Sequence, residues 1–140
     1  MSLEETYLIS TAPALLNLDF VCAALAQSYW AQKRTRPAIE ESIRNSLCFG
    51  LYEKKSKRQV GFARIVTDSA TVSWLCDVFV DEGERGKGLG KLLMAHVVAH
   101  PCVMRTMCLL GTRDAHGLYE KFGFVRGELM KRMPEPGEPT

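Results

Sequence analysis

Residues 81–98 read DEGERGKGLGKLLMAHVV. Gly86, Gly88 and Gly90 fall within five positions, interleaved with Arg85, Lys87 and Lys91, and an apolar, helix-forming run follows at once. Glycine at the mouth of a helix weakens it by up to about 1 kcal/mol per residue relative to alanine, so three of them there need a compensating use. A helix N-terminus carries orphan N–H donors and a partial positive charge. Glycines let those amides approach an anion with no side chain in the way. Two better-known phosphate patterns do not fit. The P-loop needs Gly-Lys-Ser/Thr, and here Leu92 follows Gly90-Lys91 while Arg85 stands five positions before Gly90. The dinucleotide pattern GxGxxG needs a further glycine where this chain has Lys91 or Leu93. What remains is a glycine turn between a strand and a helix. It suits a pyrophosphate backed by Arg85, Lys87 or Lys91, or equally a solvated turn with no ligand.

Upstream of the turn, VSWLCDVFV (72–80) is nearly continuously apolar and is expected as the central strand. CFGLYE (48–53), the charged turn KKSKR (54–58) and QVGFARIVTD (59–68) complete an antiparallel meander with it. YLIS (7–10) is a short first strand. Asp19 is expected to cap a helix through FVCAALAQS, and Pro37 opens a second helix in which Ile39, Ile43 and Leu47 recur every fourth residue. Downstream, KLLMAHVVAH is a helix stopped by Pro101, MCLLGT a short strand, and AHGLYEKF a short helix closed by Gly123. FVRGELMKRM (124–133) is expected as a last strand broken near Gly127, and PEPGEPT (134–140) as a disordered tail. The order β-α-α-β-β-β-α-β-α-β predicts one α+β (mixed α/β) domain over residues 1–133, with no repeat and no linker.

Composition narrows the function classes. The chain has 140 residues, 46% of them hydrophobic, and a net charge of +2, too mild to argue for nucleic acid or a membrane surface. No apolar run approaches the ~20 residues of a membrane span, and MSLEETYLIS lacks the marks of a signal peptide. Five scattered cysteines without a CxxC pair suggest neither a disulfide framework nor a zinc finger. The expected location is cytoplasmic. His96 and His100 stand four apart, but Val97 occupies the position where a zinc-protease helix needs glutamate. Cys76 lies in the third meander strand with no identifiable base beside it, so a core cysteine is favoured over an acylated nucleophile.

A second segment, AHGLYEKFGF, places Tyr119 four residues ahead of Gly123. Together, VFVDEGERGKGLGKLLM and LYEKFGF resemble the GNAT superfamily of acyl-CoA-dependent N-acyltransferases. Arg85, Gly88 and Gly90 match its phosphate signature. Leu118, Tyr119, Gly123 and Phe124 match its hydrophobic-Tyr-x-x-x-Gly-Phe signature. The resemblance implies a mostly antiparallel sheet, flanked by helices and splayed between the central strand and MCLLGT. It also implies acetyl-CoA as donor, its pyrophosphate cradled by Arg85, Gly86, Lys87, Gly88, Gly90 and Lys91. The pantetheine arm would lie against open backbone groups at Val78 and Val80, with Val78 N–H polarising the thioester carbonyl and Tyr119 protonating the departing thiolate. Tyr119 packing the helix on the sheet is the alternative. Thr112 stands where many relatives carry a cofactor-contacting asparagine, which puts that contact in doubt.

The base is open at this level. Asp77 is the only acid in its strand, and alternation points it away from Cys76 and Val78. Turned toward the cleft by a bulge, it would deprotonate or anchor the amine; otherwise it is a structural aspartate, and a water chain is a third route. Tyr29, Trp30, Arg34 and Arg36 either form an acceptor pocket for a flat or carboxylate-bearing substrate or merely pack and solvate the helix pair. The expected activity is acetylation of a small-molecule primary amine. The alternatives are acetylation of a protein amine, a non-catalytic acyl-CoA sensor of the same fold, and an interaction protein whose turn holds no ligand. The oligomeric state is open, with a homodimer compatible, since dimers are common among similar proteins.

Overall fold

The computed structural model describes residues 2–135. Its elements in chain order are α1 (Leu3–Thr6), β1 (Tyr7–Ser10), α2 (Leu18–Ala26), α3 (Arg36–Arg44), β2 (Leu47–Glu53), β3 (Gln59–Thr67), β4 (Val72–Val80), α4 (Leu89–Ala99), α5 (Pro101–Met104), β5 (Met107–Leu110) and α6 (His116–Glu120). One sheet runs β1-β2-β3-β4-β5. The first four strands are antiparallel in sequence order, and β5 joins β4 in parallel after the α4–α5 crossover. The middle position therefore belongs to β3, and β4 lies one strand in from the edge, a correction to the expectation drawn from its apolar run.

Local chemistry explains the boundaries. Asn17, not Asp19, caps α2: its Oδ1 accepts from Phe20 N–H at 3.1 Å. Asp19 sits in the first turn, where its carboxylate meets Arg36 at 2.8 Å. Thr35 caps α3, with Pro37 in the first turn. Pro101 ends α4 as expected and also opens α5, which His100 caps by accepting from Cys102 N–H at 3.2 Å.

Two layers of helix cover the sheet. On one face, α4 buries Leu93, Met94 and Val97 against Phe49, Ala63, Ile65 and Leu75. On the other, Val21 and Leu25 of α2 and Ile39 of α3 close over Cys48 and Phe62. Gly50 is needed in β2 because the Tyr52 ring lies where its Cβ would be. The Tyr52 hydroxyl is buried without a hydrogen-bond partner among the described residues, and burial pushes the phenol up to about 12.

The expected strand over 124–133 does not form. Residues 124–135 hold no regular element, with Val125 88% and Met130 95% exposed. Gly127 and the adjacent pair Leu129–Met130 break the alternation that would give this segment one buried face. Residues 136–140 of the expected tail lie outside the described residues. Among the described residues no helix is long and apolar enough to cross a membrane.

Candidate active site

The parallel pairing of β4 with β5 runs from Val72↔Met107 to Leu75↔Leu110 and stops. Beyond Leu75, β4 continues to Val80 against β3 alone. Cys76 to Val80 thus have no strand on their β5 side among the described residues, and the two strands form a fork. A cavity of about 710 Å³ fills it, lined by Cys76, Asp77 and Val78 on β4, by Leu110 to Ala115, by Tyr119, and by Tyr29, Trp30 and Arg34 from the α2–α3 connection. The expected splay is present, and three of the four expected acceptor-side residues, Tyr29, Trp30 and Arg34, lie in one cavity with Tyr119. Arg36 is drawn instead to Asp19 and Glu40.

At the fork β4 carries one extra residue. Phe62 pairs with Phe79 and Arg64 with Cys76, so the single residue Ala63 of β3 opposes two of β4, Asp77 and Val78. Asp77 takes up the surplus with φ 55°, in the left-handed region that aspartate tolerates better than most side chains. The bulge cancels the alternation and turns Asp77 to the same face as Cys76 and Arg64. Its carboxylate, 1% exposed, accepts from Trp30 Nε1 (3.0 Å) and Arg34 Nη1 (2.9 Å) on Oδ1, and from Arg34 Nη1 (2.8 Å) and Arg64 Nε (2.8 Å) on Oδ2. A carboxylate offers about four lone-pair sites, and these contacts occupy them. Asp77 is thus turned to the cavity side, as the bulge alternative required, with its lone pairs engaged by Trp30, Arg34 and Arg64.

At the foot of the fork lies the glycine turn. Gly86 and Gly88 both have φ 84°, which favours glycine, and Gly88 is the N-cap of α4, with no side chain of the described residues bonded to the helix amides. Among the described residues nothing lies within 4 Å of where a Cβ would stand at Gly86 or Gly90, so this surface is open there. The residues present fit a pyrophosphate. Two of the expected cations are partly diverted. Arg85 Nε donates to Val80 C=O at 3.1 Å, closing a carbonyl expected to be open. Lys87 Nζ bonds Glu84 Oε2 at 2.7 Å, beside Tyr7 O–H on the same oxygen at 2.7 Å and Arg58 Nη2 on Oε1 at 2.8 Å. These donors, Lys87 first, hold the Glu84 carboxyl down at about 2. Lys91 stays exposed on α4 and pushes the Lys121 ammonium below its usual value, which marks two neighbouring cations beside the turn.

Tyr119 lines both the fork cavity and an adjoining one of about 440 Å³. Its ring packs edge-on against Phe124 at 6.0 Å, and its hydroxyl has no hydrogen-bond partner among the described residues. Burial, with Tyr29 and Asp114 nearby, holds the phenol above its ordinary value and therefore protonated at neutral pH. Thr112 Oγ1 accepts from Ala115 N–H at 3.0 Å, so its hydroxyl shapes the loop ahead of α6 while still able to donate. Burial pushes the Cys76 thiol up to about 11, which disfavours the thiolate a nucleophile requires.

Three residues of the site escape sequence reasoning. Arg64 faces Asp77 from β3, and its only advance signal is a charge alternating with Phe62 and Val66 in an apolar strand. Arg113 stacks its guanidinium on the Tyr29 ring at 3.7 Å, and Lys131 closes the cavity rim.

A family model described as an acetyltransferase (GNAT) domain matches residues 44–126. That range holds the fork, the glycine turn and Tyr119, and leaves Tyr29, Trp30 and Arg34 outside it. FG08082 of Gibberella zeae, which bears the name of an acetyltransferase, is 30% identical, covering 94% of this chain and 90% of its own. A crystal structure of a protein from Xanthomonas campestris pv. campestris assigned to the GNAT family matches with a TM-score of 0.84 and 38% identity, over 91% of this chain and 93% of its own. Rv2747 from Mycobacterium tuberculosis, solved in complex with CoA, shares the fold at a TM-score of 0.65 and 16% identity, over 86% of this chain and 73% of its own.

Proposed function

The chain belongs to the GNAT acetyltransferase family, and from that premise we propose that it moves an acetyl group from acetyl-CoA to the primary amine of a small molecule by direct attack. The observation that carries this reading is the fork after Leu75–Leu110, set above an α4 N-terminus that no side chain caps. The amides of Gly86, Gly88 and Gly90 would receive the pyrophosphate, with Lys91 adding charge. The peptide-like arm would lie along β4 between Cys76 and Val80 and satisfy main-chain groups the sheet leaves open there.

In this reading Val78 N–H, on the bulge, polarises the thioester carbonyl and stabilises the oxyanion formed as the amine nitrogen attacks. The C–N bond forms, the C–S bond breaks, and Tyr119 gives its proton to the departing sulfur before regaining one from solvent. Its raised affinity for the proton makes the transfer to a thiolate of ordinary pKa, about 8.5, uphill; the dry surroundings that raise the phenol raise the sulfur's proton affinity as well. With the lone pairs of Asp77 filled, the amine surrenders its own protons to cavity water, not to a carboxylate.

The test is an amine-library acetylation screen that reads free thiol, with acetyl-CoA binding measured by calorimetry alongside. Thiol release dependent on an amine is the expected result. The filled carboxylate of Asp77 also favours a second reading, a non-catalytic acyl-CoA sensor, which predicts tight binding with no product from any amine. Absence of binding would overturn both.

A further inference from the structure

Arg34 is positioned in a way the Asp77 ion pair alone does not explain. Its Nη1 faces both oxygens of Asp77, at 2.9 and 2.8 Å. The remaining Nε–H and the two Nη2–H groups have no partner among the described residues, and the side chain, 18% exposed, stands in the wall of the fork cavity. Arg64, 12% exposed, already supplies Asp77 with one full positive charge at 2.8 Å. A second half-sequestered guanidinium therefore leaves this cluster with an excess of one positive charge, and desolvating an unbalanced cation is unfavourable. A neutral donor would have filled the same lone pairs without that cost. Around the cavity the imbalance grows. Arg113 and Lys131 line it, neither with an acid partner among the described residues, against one exposed acid, Asp114. The Nε/Nη2 edge is the face of arginine whose parallel N–H groups match two oxygens of a carboxylate or phosphate. Asp77 fixes the opposite corner, so the edge is held in place before any ligand arrives.

We propose that the acceptor amine carries an oxyanion, either a carboxylate or a phosphate, and that Arg34 binds it through Nε and Nη2 while Asp77 holds the guanidinium. The inference rests on the acetyl-transfer reading above and adds the class of acceptor. Asp77 is a positioning residue in this scheme, because it acts through Arg34. Tyr29 and Trp30, packed edge to face at 5.1 Å, form the apolar wall beside the anion site. The geometry places the oxyanion next to the bulge and the amine toward Val78, one residue further along β4.

The experiment compares matched acceptors on the full chain with acetyl-CoA: amino acids against their decarboxylated amines, and aminoalkyl phosphates against the corresponding amino alcohols. Thiol release gives kcat/KM for each member. At least one anionic acceptor is expected to exceed its neutral twin by about 10- to 100-fold, the factor a charge-assisted bidentate contact supports. Which set shows the excess identifies carboxylate or phosphate. Arg34→Gln is expected to collapse that ratio toward one. Arg34→Lys, which keeps the charge and the pairing with Asp77 but not the fork, recovers only part of it. Lys33→Gln, at an exposed position outside the cavity lining, leaves the ratio as it was. Neutral amines turned over as well as anionic ones, or a ratio that survives Arg34→Gln, would overturn the oxyanion site while leaving acetyl transfer intact. If no amine releases thiol, calorimetry on the CoA-loaded chain decides. Binding of an anionic amine that Arg34→Gln abolishes supports the site and removes catalysis, and no binding removes the site as well.

Discussion

Asp77→Asn tests the ion cluster most directly, because asparagine tolerates the left-handed backbone at least as well as aspartate and so changes charge without added strain. The perturbation leaves Arg34 and Arg64, 18% and 12% exposed, facing a neutral amide. Each guanidinium–carboxylate attraction is of order 4 kcal/mol at ~4 Å with an effective dielectric near 20, offset by the desolvation both partners have already undergone. Measured losses on breaking a buried pair are about 3–5 kcal/mol. Partial exposure of both arginines puts this one at the lower end, about 3 kcal/mol. For a domain of this size that is ~10 °C in Tm, a large share of a total stability of about 5–15 kcal/mol. Urea melts at neutral pH read the change, with an unchanged slope confirming that the unfolded state is not responsible. The backbone part of the account is tested separately by comparing Asp77→Gly with Asp77→Ala. In an ordinary strand glycine is the worse of the two by about 0.5–1 kcal/mol. At φ 55° the order should invert, since only alanine bears the Cβ penalty. A loss below about 1 kcal/mol in Asp77→Asn would refute the cluster, and the ordinary Gly/Ala order would refute the bulge.

Gly88→Val places a branched side chain at φ 84° among the α4 amides; it should weaken acetyl-CoA binding at least about tenfold by calorimetry on folded protein, as expected of an obstructed anion site. Tyr119→Phe should lower kcat by about 100-fold and acetyl-CoA affinity by less than about threefold, and equal losses in both would reduce Tyr119 to packing. Tyr52→Phe removes a buried hydroxyl without a partner, so the variant should gain about 1–2 kcal/mol in urea melts. Glu84 has a folded pKa of about 2, below its ordinary value of 4.5. Its contribution is therefore present above about pH 4.5 and lost as pH falls toward 2. Glu84→Gln should be less stable than the parent at pH 7, with the gap closing on acidification; a gap independent of pH would contradict the assignment.

The parts of the site legible in the sequence are those whose signal is local. VSWLCDVFV marks the bounds of β4, glycines ahead of an apolar run mark the head of α4, and the family resemblance carried by LYEKFGF singles out Tyr119, which lines the fork cavity. The bulge was illegible because one surplus residue leaves the local pattern unchanged, and alternation then assigns Asp77 to the wrong face. Partnership was also hidden. Lys87 reads as a free cation until Glu84 is placed beside it, and Tyr7, 77 residues before Glu84, closes that cluster. The segment 124–133 shows the converse: its composition is strand-like, yet no strand forms, because Gly127 and Leu129–Met130 spoil its single face.

The surplus residue in β4 has a consequence for the whole strand. Ahead of it, Trp74 and Cys76 share the α2–α3 side of the sheet; behind it, Phe79 takes that side against Phe20 and Phe62, while Val78 and Val80 turn to the α4 side. The strand thus changes phase at residue 77. Deleting that residue would give a more regular ladder and leave Val78, Phe79 and Val80 on the sides they now occupy, so neither hydrophobic layer requires the irregularity. What the surplus position supplies is a carboxylate on the α2–α3 side, where Trp30, Arg34 and Arg64 converge on it.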